Sequence, residues 1–266
     1  MRPLLTIPLF LLTCPAFAAE PIGVEIWHDE APAKKTPLPD AETERELNDP
    51  QYREKLRFKI VKLAPFIAEH AEATDDLVVL RFHNGVRIPL RLEALPPVFL
   101  ATSMWDDARR KWTDPKPRHR KSSVHQDARP IEFLGHKLVV EVDGDGFSPW
   151  RHTGSLVALE YTTEAAWTAP FAAGAEPVVR RGERIFLDSC QFCHGVRGHG
   201  GTLGWDFVEP LAVTEYRSTP DALRLHVNHR VSNAMELGLL MPVPRRLTED
   251  EAKALWAWID AVAQRE

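Results

Sequence analysis

The N-terminal two-thirds of the chain consists of short apolar runs separated by turn residues. Two of these runs, residues 77–82 and residues 86–92, flank Asn84-Gly85. Because Asn-Gly between apolar runs favours a tight turn, this pattern predicts a β-hairpin. Further strands are predicted at residues 22–27, 98–102, 137–142 and 155–163. With a helix predicted after Pro50, the pattern indicates a β-rich domain with one or two helices.

The apolar pattern changes to helical spacing in the last third of the chain. Gly182, Phe186 and Cys190 recur at every fourth position, which places them on one face of a helix. Near the C-terminus, Thr248 and Glu251 have the spacing of a capping box. The apolar residues after this box also recur at helical spacing: Ala252, Leu255, Ile259 and Val262. We therefore expect two helices with apolar faces at the two ends of this region.

Length and composition support a two-domain globular protein. The chain has 266 residues, of which 44% are hydrophobic and 27% are charged. The formal charge of −5 argues against a nucleic-acid-binding protein, which would be strongly basic. We expect an α+β protein with a β-rich accessory or docking domain at residues 19–167. A linker at 168–178, which contains prolines and a glycine, precedes a second domain at 179–266.

The first 18 residues have the layout of a secretory signal peptide. Arg2 supplies the positive charge, residues 3–13 are a short apolar run, and Ala16-Phe17-Ala18 is a cleavage signal. We expect cleavage after Ala18 and export to the periplasm. The alternative is a lipoprotein cleaved before Cys14. No later stretch is long and apolar enough to predict a membrane-spanning helix.

The remaining two cysteines belong to one motif, Cys190-Gln191-Phe192-Cys193-His194. This is the C-x-x-C-H sequence by which c-type haem is attached. The two thiols add to the haem vinyl groups, and the adjacent histidine supplies an iron ligand. The alternatives are a redox-active cysteine pair or a disulfide beside an unrelated histidine.

Residues 177–266 resemble the class I c-type cytochromes. The resemblance includes the motif, the glycine and aromatic residue at Gly182 and Phe186, and the aromatic residue Trp258 on the last helix. It implies an all-α domain that carries one covalently bound haem c, attached at Cys190 and Cys193. His194 would be the proximal ligand.

The resemblance also implies a distal ligand, Met241, which lies 47 residues after His194 and precedes a proline. A thioether is a soft ligand that favours a high reduction potential. The alternative ligands are Met235, His226 and His229.

This sequence departs from the family pattern after the motif. Gly204-Trp205 occupies the place of a Gly-Pro pair whose proline carbonyl accepts a hydrogen bond from the proximal histidine. The carbonyl of Trp205 could accept the same bond, and Pro210 is the alternative.

Three features of the N-terminal domain suggest further functions. Residues 84–101 resemble part of the molybdopterin-binding domain of sulfite-oxidase type, without a cysteine to hold the metal. Residues 109–121 carry seven Lys and Arg against one Asp, which would suit an acidic redox partner or a solvated loop. The domain also has seven histidines, too scattered to predict a metal site: His28, His70, His83, His119, His125, His136 and His152.

The sequence therefore predicts an exported electron-transfer protein rather than an enzyme. It would be a carrier, or a subunit of a dehydrogenase or oxidase system, and would exchange single electrons with a redox protein partner. One alternative is an oxidoreductase whose N-terminal domain binds substrate or a second metal. Another is a haem sensor whose sixth coordination position opens to a gas.

Overall fold

The structure is a computed structural model. It describes residues 23–28, 31–40, 43–49, 54–115, 135–140, 150, 153–237 and 246–265, and only the backbone course of residues 31–34 and 229–237. Three sequence predictions lie wholly outside these residues: the signal peptide, Cys14 and Met241. The basic segment 109–121 is described as far as residue 115.

The first of two five-stranded sheets, sheet A, consists of β1 Gly23–His28, β2 Ala31–Pro37, β5 Leu77–Phe82, β6 Arg87–Arg91 and β10 Leu156–Thr162. Its strand order is β2-β1-β10-β5-β6. β1 and β10 pair in parallel, and the other neighbours are antiparallel. The predicted hairpin at Asn84-Gly85 is confirmed, since Phe82 N–H donates to Val86 O at 2.9 Å and Gly85 has a φ of +89°.

The second sheet, sheet B, consists of β3 Thr43–Asp49, β4 Glu54–Lys62, β7 Val98–Asp106, β8 Lys111–Thr113 and β9 Lys137–Val140. Its order is β3-β4-β7-β8, and β9 also pairs with β7. The prediction of a helix after Pro50 is confirmed by α1 Leu63–His70, but residues 54–62 before it form strand β4. The reason is a period-two pattern: Leu56, Phe58 and Ile60 face one side of β4 and alternate with charged residues.

The C-terminal region is mainly helical, with α2 Glu164–Thr168, α3 Pro177–Ser189, α4 Val213–Tyr216, α5 Pro220–Leu237 and α6 Glu249–Ala263. The predicted capping box is confirmed, because Glu251 N–H donates to Thr248 Oγ1 and Thr248 N–H donates to the Glu251 carboxylate.

The C-terminal region also contains a short β-hairpin between α3 and α4. Its two strands, β11 Gly195–Val196 and β12 His199–Gly200, have two residues each. The expectation of an all-α domain is therefore not confirmed. Among the described residues, no helix has the length and apolar character needed to cross a membrane.

Strand β5 contributes to two different hydrophobic cores. Val78, Leu80 and Phe82 point into the core between sheets A and B. Leu77 and Val79 point the other way, into a core formed with α3 and α6. Because both faces of β5 are covered, its amino-acid sequence is a nearly continuous apolar run, which is typical of strands buried on both faces.

The predicted linker at 168–178 contributes to the second of these cores. Residues Ala169–Phe171 form a 3₁₀ turn, and Phe171 is completely buried. The domain boundary itself stays a prediction. The buried phenylalanine means that this connection is packed against the molecule and not exposed along its whole length.

Sheet B contains a buried ion pair that the sequence does not reveal. Lys137, the first residue of β9, contacts Asp49, the last residue of β3, and the side chains are 1% and 0% exposed. Burial lowers the pKa of Lys137 to about 8, and the Asp49 carboxylate opposes this shift. The pair joins two strands that are not hydrogen-bonded neighbours, and each charge depends on the other for its stability in the core.

We expect Lys137→Met to lower the free energy of unfolding by about 3–5 kcal/mol, because it leaves the Asp49 carboxylate buried without its cation. Urea unfolding followed by circular dichroism measures this loss. The double variant Lys137→Met/Asp49→Leu should recover most of it, since both charges are then removed from the core.

The matched control is Lys55→Met. Lys55 forms a surface pair with Glu46 at 3.0 Å, with both side chains about 60% exposed. Exposed pairs contribute about 0–1 kcal/mol, so this variant should change little. A loss at Lys137 no larger than the loss at Lys55 would contradict a structural role for the buried pair.

Candidate haem site

The C-x-x-C-H motif forms a helical turn directly after α3. Cys190 N–H donates to Phe186 O at 2.7 Å and so closes the helix. The N–H groups of Cys193 and His194 then both donate to Cys190 O, at 3.1 and 2.9 Å. These bonds fix the spacing between the two cysteines and the histidine. We call residues 190–204 the attachment loop.

Both cysteines of the motif are free thiols, so the structure contains no disulfide between them. Burial raises the pKa of each thiol to about 12, with the neighbouring Cys193 adding to the effect at Cys190. Redox-active cysteine pairs have the opposite property, a pKa lowered towards or below neutrality. The surroundings therefore argue against a role for this pair in thiol–disulfide exchange.

The imidazole of His194 is oriented by a backbone carbonyl. Its Nδ1–H donates to Trp205 O at 2.7 Å, so the structure gives this bond to Trp205 and not to Pro210. Burial lowers the pKa of His194, and the Trp205 carbonyl and Asp206 oppose the shift. A neutral ring with its proton on Nδ1 leaves the Nε2 lone pair available to a metal ion.

Gly204 makes room for this ring. A Cβ at this position would lie 2.6 Å from His194 Nδ1, closer than any side chain can approach. The Gly204 N–H also donates to Cys193 O at 2.7 Å, and Gly201 N–H donates to Gln191 O at 2.8 Å. The glycine-rich second half of the attachment loop therefore lies directly against the motif.

Asp206 and Arg197 secure the chain around the loop, and sequence reasoning missed both. The Asp206 carboxylate accepts from the N–H groups of Gly198, Val208 and Glu209 at 2.8–3.0 Å. The Arg197 guanidinium donates to Val262 O at 3.1 Å, at the C-terminal end of α6. An aspartate soon after a Gly-rich run is a turn signal that could have indicated the first contact.

Helices α3 and α6 cross at Gly182. A Cβ on Gly182 would lie 2.6 Å from Trp258 Cβ and would overlap the Ala254 carbonyl. Phe186 stacks on Trp258 with ring centroids 4.6 Å apart, and Phe207 lies 5.0 Å from the His194 ring. These aromatic contacts connect the crossing to His194.

Of the four candidate distal ligands, the structure describes the side chain of His226 alone. Met241 lies outside the described residues, and Met235 and His229 lie in α5, where their side chains are not described. His226, also in α5, accepts a hydrogen bond at Nδ1 from Arg217 Nη2 at 3.2 Å. The choice of Met241 stays a prediction.

The described residues of the N-terminal region contain no candidate metal site. No group of three His, Cys, Asp or Glu side chains in this part of the chain could hold a metal ion. The described part of the basic segment includes strand β8, where Trp112 packs edge-on against Trp105 at 5.4 Å. Arg57 lies over Trp105 at 4.3 Å.

Residues 177–259 match the family model described as cytochrome C oxidase, cbb3-type, subunit III. No curated protein and no solved structure matches the chain. A cytochrome c domain implies a haem group, electron transfer and a redox protein partner. The match lies entirely within the C-terminal region. No comparison supports the N-terminal resemblance to a molybdopterin-binding domain.

We expect Gly182→Ala to destabilise the protein by about 1–3 kcal/mol, because the added methyl group forces α3 and α6 apart. In an exposed helix the same change would stabilise by about 1 kcal/mol, so the sign of the effect is informative. Thermal unfolding measures it. Arg184→Ala, on the exposed face of α3, is the control and should change stability by about 0.5 kcal/mol or less. Unchanged or increased stability in Gly182→Ala would contradict the close crossing.

Proposed function

We propose that this protein is an exported monohaem c-type cytochrome that passes single electrons to or from a redox protein in the periplasm. It would act as a carrier, or as a subunit of a dehydrogenase or terminal oxidase system. The observation that carries the proposal is the His194 site: an imidazole, oriented by the Trp205 carbonyl, follows two half-buried free thiols in one helical turn.

The donor set fits a covalently held haem. Cys190 and Cys193 would form the two thioether bonds, His194 Nε2 would be the proximal ligand, and Met241 would be the distal ligand. Such a haem supplies an iron that alternates between two oxidation states. The chain would hold His194 and Met241 in place as iron ligands, and electron transfer would require no acid, base or nucleophile.

The surrounding residues hold the His194 ring in one orientation. The hydrogen bond from His194 Nδ1 to Trp205 O fixes this orientation. Phe207 lies against the His194 ring, and Phe186 and Trp258 pack behind Phe207. A fixed, apolar ligand environment keeps the structural change on electron transfer small.

Metal analysis of the purified, haem-matured protein, together with its reduced spectrum, tests this function. We expect one iron per chain, the spectrum of a low-spin c-type haem, and a mass that includes the haem under denaturing conditions. A mature N-terminus at Ala19 would support export and cleavage after Ala18. Haem-free protein from a host that matures c-type cytochromes would contradict the proposal. A stoichiometric second metal would favour the oxidoreductase alternative instead.

Met241→Leu tests the distal ligand. We expect it to abolish the weak red absorption band of methionine-ligated ferric haem, because leucine keeps the side-chain size but offers no sulfur. The matched control is Met235→Leu, which should retain the band. An unchanged band in the Met241 variant, or its loss in the Met235 variant, would overturn the assignment of Met241.

A further inference from the structure

The turn between β5 and β6 is hydrogen-bonded to the attachment loop. Arg87 N–H donates to Phe192 O at 3.0 Å, and Thr202 N–H donates to Gly85 O at 2.8 Å. The first bond reaches a residue between the two cysteines, and the second reaches the glycine-rich half of the loop. Two backbone bonds therefore join sheet A to both sides of the loop.

Gly85 allows this close approach. Its φ is +89°, and an added Cβ would lie 2.6 Å from Thr202 Oγ1 and 3.0 Å from Leu203 N. The hairpin turn and the attachment loop are thus in direct van der Waals contact, with no space for a larger residue.

A third bond holds the other residue between the cysteines. Trp167, the buried residue of α2, donates its Nε1–H to Gln191 Oε1 at 2.9 Å. The Gln191 amide in turn donates to Leu187 O in α3 at 2.5 Å. The Trp167 carbonyl lies 3.0 Å from His199 Nε2, on β12. Trp167 therefore contacts the loop through both its side chain and its backbone.

Apolar packing reinforces these bonds. Phe192, Cys193 and Leu203 pack against the core between sheets A and B. On the opposite face of sheet A, Leu77 and Val79 of β5 are buried in the core of the helical region. The attachment loop is consequently in direct contact with sheet A, without an intervening layer.

We infer that the β5–β6 turn and Trp167 clamp the attachment loop and thereby set the reduction potential of the haem. Gly85, Arg87 and Trp167 are positioning residues, which act through Gln191 and Phe192 rather than on the iron. This inference rests on the proposed function. It makes the N-terminal region a fixed wall of the haem site. A redox partner must then approach from a side of the haem domain that sheet A does not cover.

The link to the potential is electrostatic. Ferric haem carries one more positive charge than ferrous haem, so water near the site favours the ferric form and lowers the potential. The apolar shell around a metal site controls this access of solvent. Loosening the clamp should admit water beside Cys193 and shift the potential to more negative values.

The first test compares two Trp→Phe variants of the full-length, haem-loaded protein. Trp167→Phe removes the donor to Gln191 and keeps an aromatic ring in the core. We expect a negative shift of the midpoint potential in redox titration, with covalent haem content unchanged. The matched control, Trp112→Phe, alters a tryptophan of sheet B and should leave the potential at its wild-type value.

The second test follows amide hydrogen exchange in the same holoprotein. The Arg87 and Thr202 amides donate the two bonds between the turn and the loop, so their exchange should be slow in the wild type. In Gly85→Ala we expect both to exchange at least about fivefold faster, the effect of losing one hydrogen bond. The control is Gly174→Ala, which also has positive φ but has no atom within 4 Å of the added Cβ.

The outcomes separate the inference from the proposed function. A wild-type protein without haem would contradict the proposed function. A haem protein with a reversible potential that Trp167→Phe leaves unchanged would overturn the clamp and leave the proposed function intact. Arg87 and Thr202 amides that exchange at wild-type rates in Gly85→Ala would also overturn it. If Gly85→Ala does not fold, the Trp167 comparison decides alone.

Discussion

The structure depends on one constraint, the burial of β5 on both faces. Val78, Leu80 and Phe82 complete the core between the two sheets, while Leu77 and Val79 complete the core of the helical region. A strand in this position cannot shift its register by one residue, because the two sets of side chains would exchange cores. The hairpin turn that follows β5 is therefore held in one place, and this is the turn that meets the attachment loop.

The haem site is accordingly assembled from distant parts of the chain. The motif supplies the thiols and the imidazole, and Trp205, which follows the glycine-rich hairpin, supplies the carbonyl that orients His194. Helix α6 supplies Trp258, whose Nε1–H donates to Phe171 O at 2.8 Å in the buried part of the connection. Because sheet A and this connection contact the loop as well, the geometry of the site depends on residues far beyond the motif.

The sequence predicted the parts of the site that are encoded locally. The motif, the helix with Gly182 and Phe186, and the capping box at Thr248 all depend on spacing within a few residues. The hairpin at Asn84-Gly85 was predicted for the same reason. The contact of this hairpin with Phe192 and Thr202 could not be predicted, because no periodic pattern connects segments more than 100 residues apart. Sheet B was partly missed, since the charged residues that alternate with Leu56, Phe58 and Ile60 obscured a strand.

The parallel pairing of β1 with β10 has a consequence for the order of folding. Glu25 pairs with Ala158, so sheet A remains incomplete until about 60% of the chain is available. Pairings of such long sequence separation form slowly. Until this pairing forms, the β5–β6 hairpin lacks its other neighbour in the sheet, and the attachment loop cannot pack against a finished sheet A. The contacts between sheet A and the attachment loop are therefore among the last of the structure to form.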